Sequence, residues 1–468
     1  MKKAARSRRK LAMWSALPPY LGGKRRLCPL IFREIDRVLP RRLWPGRTFL
    51  DGFLGGGSVS LYAKAMGFKV VSCDIADRAI VVGRGLIENS RVKLTREDVI
   101  RILTPNPEPP LRVEREMSPS IFTANVARFI DRGLAAAAVA GDPAKAALLK
   151  MLAVRVGLLE HPMSQVRKGT IHRVTTGEYE AITPSCAHHY VEGLRLTRPD
   201  RVWGIAQQIN AGVFQGEARV IQQSVLEVLP TIKADVAYFD PPYPGVMSYE
   251  KEYKVIDEIL EGATRPTSPF TARDGAAMID GLFERSLHIP IWLLSLGNAV
   301  VTLDELAEKM RRLGRETKAI EIKYTHLPSI ATAEKNEENR EFLIVGWDLA
   351  APMLRGLHRV NALIAAAEQP ADLSVSFDQD QNVTREFLSP SAGLAGDPDH
   401  QLQPSLGFGA LSSPRERVGD VLDDPVDSPL RLTDEPGVHG HGEVRTTAFV
   451  RHGGTVQPGQ SDRHSIKE

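Results

Sequence analysis

The chain has 468 residues, with 60 Lys and Arg, 57 Asp and Glu, and a formal net charge of +3. Its apolar stretches are shorter than the roughly 20 residues that span a bilayer, and the basic N-terminus is not followed by the apolar segment of a signal peptide. The three cysteines, Cys28, Cys73 and Cys186, match neither a disulfide framework nor a zinc-binding spacing. We therefore exclude collagen-like, membrane and disulfide-scaffold classes and expect a soluble, cytoplasmic protein.

The near-neutral total hides an uneven distribution of charge. Residues 1–350 carry 50 basic and 40 acidic side chains, a net charge of +10, whereas residues 351–468 carry 10 and 17, a net charge of −7. Such asymmetry indicates a body that faces a polyanion and an acidic tail. A basic arm over residues 1–16 is either solvated or in contact with phosphates.

The first predicted elements form a strand–helix–strand unit. A strand over Thr48–Asp51 leads through a glycine-rich turn into a helix over Val59–Met66, and a second strand follows at Lys69–Ser72. This alternation is typical of a parallel α/β sheet.

Residues 91–215 interrupt that pattern. Helices are predicted over Asn125–Ala140 and Pro143–Leu159, followed by a polar, basic and irregular segment over Glu160–Asp200. The α/β pattern then resumes, with strands at Ala218–Ile221, Asp235–Phe239, Ile291–Leu296, Ile320–Tyr324 and Glu341–Trp347, a helix at Ala276–His288 and a loop at Ala331–Arg340. A last helix is predicted over Pro352–Glu368, and beyond it a composition rich in Pro, Gly, Ser and Asp predicts disorder.

The sequence Asp240-Pro241-Pro242-Tyr243 directly follows the predicted strand Asp235–Phe239. Open α/β sheets bind ligands at this end of their strands. An amine conjugated to an aromatic ring is a poor nucleophile. The Asp240 carboxylate and the Pro241 carbonyl can accept hydrogen bonds from the two N–H groups of such an amine. The two prolines stiffen the turn, and Tyr243 offers a face for base stacking. An ordinary proline-rich turn is the alternative.

Two further motifs point to a ligand. The run Phe53–Ser58 (Phe-Leu-Gly-Gly-Gly-Ser) lets the backbone approach a ligand but lacks the Gly-Lys-Ser/Thr of a P-loop. Asp74 ends the next strand, where an acid binds ribose hydroxyls or caps a helix. A Gly-Gly turn with Lys24 suits a carboxylate or phosphate at a helix N-terminus, or is a plain helix start.

The order Gly-Gly-Lys, Phe-Leu-Gly-Gly-Gly-Ser, insert and Asp-Pro-Pro-Tyr resembles the Dam-type (alpha-group) DNA N6-adenine methyltransferases. The resemblance implies a Rossmann-like S-adenosylmethionine-dependent methyltransferase sheet built from residues 17–90 and 216–350. Residues 91–215 would be an inserted, mainly helical target-recognition domain, and residues 351–468 an acidic, mostly disordered C-terminal tail.

The resemblance also implies roles for particular residues. S-adenosylmethionine would be the cofactor, bound by Tyr20, Lys24, Asp51, Phe53, Gly55, Asp74 and Asp240. A flipped adenine of double-stranded DNA would meet the catalytic residues Asp240, Pro241, Pro242 and Tyr243. In the insert, DNA contacts are expected from Arg155, Arg167, Lys168, His172 and Arg173. No metal is needed, because the methyl donor is already a sulfonium, and we expect a monomer; a partner restriction nuclease is an open option.

Departures from the family pattern leave alternatives open. Ser224 lies where many relatives carry an Asp on the cofactor's adenine, and Tyr20 lies where the best-known members have Trp. Methylation of cytosine N4 or of an RNA amine, and a catalytically inactive DNA-binding relative, are the competing hypotheses. A second stacking aromatic is expected from Tyr249 or Tyr253.

Overall fold

A computed structural model of the chain describes residues 12–19, 23–161, 195–243, 252–261, 268–271, 275–297, 302–323 and 340–356. All of these residues belong to the first of two compact units, Met1–Ser374, and the second unit lies outside them.

A seven-stranded sheet lies at the centre of the described part. Its strands are β1 Thr48–Asp51, β2 Lys69–Cys73, β3 Ala218–Ile221, β4 Val236–Phe239, β5 Ile291–Gly297, β6 Glu316–Lys323 and β7 Arg340–Trp347. They lie in the order β3-β2-β1-β4-β5-β7-β6. Strands β1 to β5 are parallel, and β7 runs antiparallel between β5 and β6. The connections from β1 and β4 leave in opposite directions, which creates a crevice where such sheets bind ligands.

Helices cover the sheet and fill its longest connection. They are α1 Cys28–Val38, α2 Ser58–Met66, α3 Asp77–Val82, α4 Arg96–Leu103, α5 Arg112–Met117, α6 Ala124–Ala138, α7 Pro143–Leu159, α8 Pro199–Asn210, α9 Val225–Val228, α10 Lys254–Glu261, α11 Gly275–Arg285 and α12 Leu303–Arg312. A π-helical turn, Gly83–Glu88, continues α3, and 3-10 turns lie at Arg41–Leu43, Leu229–Thr231 and Pro269–Thr271.

The central strands are buried on both faces. In β4, Val236 and Tyr238 pack into one hydrophobic cluster while Ala237 and Phe239 pack into another on the opposite face. This division follows from the alternation of side chains along a strand. The resulting continuous apolar run is typical of parallel sheets covered by helices on both sides, and it holds the start of the Asp240 loop in a fixed place.

Helices α4 to α8 form a helical insert between the adjacent strands β2 and β3. Helix α7 starts where Asp142 accepts hydrogen bonds from the backbone of the first turn, with Pro143 as its first residue. Helices α6 and α7 cross closely at Gly133, where a Cβ would lie 2.8 Å from that of Ala153. Helix α7 also packs against α3 and the π-helical turn Gly83–Glu88, which follow β2 in the chain.

The predicted α/β class with a Rossmann-like methyltransferase sheet is confirmed. The predicted strands occur with ends within one or two residues, except the sixth, which begins at Glu316 rather than Ile320. Six helices were not predicted: α4, α5, α8, α9, α10 and α12. Several predicted segments lie outside the described residues: residues 1–11 of the arm predicted over residues 1–16, most of the Glu160–Asp200 segment, the Ala331–Arg340 loop up to its last residue, and the chain after residue 356.

The predicted boundary at residue 350 falls beside packed side chains. Ala351 and Leu354 are 7% and 3% exposed and belong to the main hydrophobic cluster. Removing them would uncover apolar surface. The catalytic domain boundaries stay a prediction, and this packing favours a body that extends at least to residue 356.

Candidate active site

A pocket opens at the carboxyl ends of β1, β2 and β4. Its walls include Lys24, Asp51, Phe53, Gly55, Asp74 and Asp240. These are six of the seven residues predicted to hold the cofactor; Tyr20 lies outside the described residues. The fold therefore brings together motifs that are almost 200 residues apart in the sequence, although their binding roles stay predictions.

Asp51, the last residue of β1, is 1% exposed. Its Oδ1 accepts the Phe53 N–H (3.3 Å) and its Oδ2 accepts the Ser60 hydroxyl (2.6 Å). Burial raises the pKa of Asp51 to about 7, and the nearby Asp240 and Asp74 carboxylates add to the rise. A cation placed in the pocket would restore the stability of the ionised form.

The glycine-rich turn between β1 and α2 depends on unusual backbone angles. Gly57 has a φ of 77°, and a Cβ there would lie 2.9 Å from a methyl group of Val82. The Gly55 N–H donates to Asp74 Oδ2 (2.8 Å), and the Ala76 N–H donates to Asp74 Oδ1 (2.9 Å). These two bonds aim the Asp74 carboxylate at the turn, which joins the ends of β1 and β2 in one wall of the pocket.

Aromatic and uncharged polar side chains also line the pocket. Phe53 and Phe270 meet edge to face with ring centroids 5.0 Å apart. Gln223 and Ser224 contribute polar side chains to the same pocket. The structure thus places Ser224 in the pocket, although it has no carboxylate to offer there.

Lys24 lies in the interior beside the Asp240 motif and is 2% exposed. Its ammonium is 2.8 Å from Asp240 Oδ1 and 3.4 Å from Glu341 Oε1. It also donates to the Tyr243 hydroxyl oxygen at 3.2 Å. Asp240 itself keeps 19% of its side chain exposed. Lys24, predicted as a cofactor residue, therefore contacts the predicted amine site directly.

Glu341, near the start of β7, is a site residue that sequence reasoning missed. It is fully buried, and its Oε2 accepts the Tyr243 hydroxyl at 2.7 Å. The Tyr243 ring lies against Gly297, where a Cβ would lie 2.9 Å from the ring. The sequence signal that could have pointed to Glu341 is a carboxylate near the start of a strand that is otherwise mostly apolar.

Arg155 is the one predicted DNA-contact residue that lies within the described ranges. Its guanidinium donates to the backbone oxygens of Ser15 (2.5 Å) and Ala16 (3.3 Å) and to Gln208 Oε1 (2.9 Å). Burial lowers its pKa to about 10. These contacts tie the N-terminal segment to α7 and α8, and a DNA contact by Arg155 stays a prediction.

The other predicted DNA contacts, Arg167, Lys168, His172 and Arg173, lie outside the described residues, as does Tyr249. Tyr253 does not fit the expected role of a stacking aromatic. Its ring is 7% exposed and packs against Leu158 and Ile256, with the Arg78 guanidinium 4.8 Å from its centroid.

Within the described ranges, no helix has the length and apolar character needed to cross a membrane. The same part of the chain contains no group of three or more His, Cys, Asp or Glu side chains placed to hold a metal ion.

Two comparisons with known proteins bear on this site. Residues 20–112 match the family model described as D12 class N6 adenine-specific DNA methyltransferase. The chain is also 26% identical over 344 residues to the type II methyltransferase M2.HphI of Haemophilus parahaemolyticus, which covers 70% of this chain and 96% of that relative. Both comparisons support an adenine-specific DNA methyltransferase family. The family resemblance carried by the motifs is confirmed, and both matches support a site-specific, adenine-specific DNA methyltransferase.

Proposed function

We propose that this chain transfers a methyl group from S-adenosylmethionine to the N6 amine of an adenine in double-stranded DNA, after the base has rotated out of the helix. The observation that carries the proposal is Asp240. It directly follows β4, stays partly exposed, and lies in the wall of the pocket that also contains Asp51 and Asp74. The family model and the relative support the same chemistry.

The residues of the pocket fit the chemistry of this cofactor. Asp51 is a poorly solvated carboxylate, which suits the cofactor's amino group, and Asp74 suits its ribose hydroxyls. Phe53 and Phe270 offer apolar surface to the adenine ring. When bound, S-adenosylmethionine supplies a methyl group that its sulfonium already activates.

Asp240 and the carbonyl of Pro241 act on the target amine. By accepting hydrogen bonds from its two N–H groups, they turn the nitrogen lone pair out of conjugation with the ring. As the new carbon–nitrogen bond forms, the sulfur–methyl bond of the donor breaks and its electron pair stays on the sulfur. The nitrogen becomes positive and gives up one proton, which Asp240 accepts. Removing the base from the stack costs a few kcal/mol, and contacts of the base within the site offset part of this.

DNA binding is proposed to depend on the positive charge of residues 1–350. A net charge of +10 in that part of the chain favours contacts to phosphates. Affinity for DNA should therefore fall steeply as salt is raised.

Transfer of labelled methyl groups from S-adenosylmethionine to DNA tests the proposal. We expect incorporation by the wild type, at least a 100-fold loss with Asp240→Ala, and no loss with Asp304→Ala, which removes an exposed carboxylate on α12. Nucleoside analysis of the product should give N6-methyladenine. A product of N4-methylcytosine, incorporation only into RNA, or cofactor binding without any transfer would each replace the proposal by one of the alternatives.

A further inference from the structure

Glu341 is held at the active site by the register of the sheet. It lies on β7 opposite Gly297 of β5, and the missing side chain at Gly297 leaves the space that the Tyr243 ring occupies. The Glu341 carboxylate reaches that ring's hydroxyl at 2.7 Å. It is not part of the pocket wall that contains Asp51 and Asp74.

Three side chains, Lys24, Tyr243 and Glu341, contact one another here, and Lys24 joins Asp240 to them. The Tyr243 hydroxyl donates its proton to Glu341, so its oxygen faces the Lys24 ammonium as an acceptor. The ammonium also lies between the Asp240 and Glu341 carboxylates, at 2.8 and 3.4 Å. Lys24 and Glu341 thereby bridge the first and last residues of the Asp-Pro-Pro-Tyr motif.

The Lys24 ammonium bears on how well Asp240 can accept a hydrogen bond from the target amine. An ammonium beside Asp240 favours its ionised form and fixes its direction. An ammonium paired with Asp240 alone would occupy the same lone pairs that the target amine needs. Because Glu341 shares the ammonium and holds Tyr243, part of the acceptor capacity of Asp240 stays available.

We infer that Glu341 is a positioning residue for methyl transfer, acting through Lys24 and Tyr243 to orient Asp240 and keep it available to the target amine. The inference rests on the proposed function. It also gives Lys24 a role at the amine site in addition to the cofactor role predicted for it.

The test compares single-turnover methyl transfer to DNA by the full-length wild type and Glu341→Gln. The substitution keeps the size of the side chain and removes its charge. We expect the transfer rate to fall about 10- to 100-fold, the range for loss of a charge-assisted contact. The dissociation constant for S-adenosylhomocysteine, measured by calorimetry, should change less than threefold, because Glu341 does not line that pocket. The matched control is Glu321→Gln on the neighbouring β6, which should keep the wild-type rate.

A double-mutant cycle with Lys24→Gln separates positioning from a general loss of stability. If Glu341 acts through Lys24, adding Glu341→Gln to the Lys24→Gln variant should lower the rate less than threefold further. If Glu341→Gln does not fold, Tyr243→Phe takes its place in the cycle with Lys24→Gln. This substitution keeps the ring against Gly297 and deletes the hydroxyl, and it should show the same coupling to Lys24→Gln.

Two results would overturn the inference: a wild-type rate for Glu341→Gln, or rate losses that multiply independently across the cycle. A wild type that methylates no DNA would instead refute the proposed function, so the two failures are distinguishable.

Discussion

The buried carboxylate of Asp51 should lower the stability of the folded protein at neutral pH. Its pKa rises from an ordinary 3.8 to about 7 on folding, which corresponds to about 4 kcal/mol. Below about pH 4 the group is protonated in both folded and unfolded chains and costs nothing. The cost grows between about pH 4 and pH 7 and is constant above. Asp51→Asn, which resembles the protonated form, should therefore stabilise the protein by about 4 kcal/mol at pH 8 and about 1.5 kcal/mol at pH 5.

Urea unfolding at pH 5 and pH 8 measures these differences. Asp304→Asn, which changes an exposed carboxylate, serves as the control and should show no pH-dependent gain. An Asp51→Asn gain that is equal at the two pH values, or a loss at both, would refute the reasoning from burial.

The same substitution should weaken the binding of S-adenosylmethionine, because it removes the proposed partner of the cofactor's amino group. In the wild type, cofactor affinity should fall as the pH drops below 7, when Asp51 becomes protonated. Calorimetry between pH 5.5 and 7.5 checks this. A constant affinity over that range would contradict the role proposed for Asp51.

Three further predictions follow from packing. Gly57→Ala should cost about 2–4 kcal/mol in urea unfolding, against about 1 kcal/mol for Gly46→Ala, because both have a positive φ but only Gly57 is crowded. Arg155→Met should speed amide exchange over residues 12–19 and leave the salt dependence of DNA binding unchanged, since its guanidinium is engaged within the protein. A chain ending at residue 374 should keep methyl transfer and bind DNA at least as tightly, whereas one ending at 350 should unfold at a lower temperature because it lacks Ala351 and Leu354.

Each of these three predictions can be contradicted by a specific result. Equal costs for the two glycine substitutions would show that the turn relaxes around a methyl group. A salt slope reduced by about one in Arg155→Met would support a phosphate contact instead. Loss of methyl transfer in the chain ending at residue 374 would show that the tail takes part in activity.

The central strands were predictable because each is a short apolar run followed by a turn or polar residue. The motif positions followed as well, since Asp51 ends β1 while Asp74 and Asp240 directly follow β2 and β4, and these three strands are parallel. Parallel strands bring their carboxyl ends to one edge, so order along the chain sufficed to place these groups together.

Three other features were not predicted, and only the first of them has a local sequence signal. Helix α12 has a capping box formed by Thr302 and Glu305, a signal that was present but not used. Strand β6 starts early because Glu316 pairs with Trp347 at the sheet's outer edge, where charged residues are tolerated. Glu341 was recognised as part of a strand, but its role depends on β7 lying between β5 and β6, which no local pattern specifies.

The position of β7 has a consequence for biosynthesis. Until residues 340–347 have been made, β5, whose residues are all buried in the finished sheet, has an open edge on the side away from β4. An unpaired apolar strand edge is a site of aggregation. A chain that ends before residue 340 should therefore aggregate through this open edge rather than fold into an enzyme of reduced activity. The strand that brings Glu341 to Lys24 and Tyr243 also covers the open edge of β5, so catalytic competence and freedom from aggregation should be acquired in the same late step of synthesis.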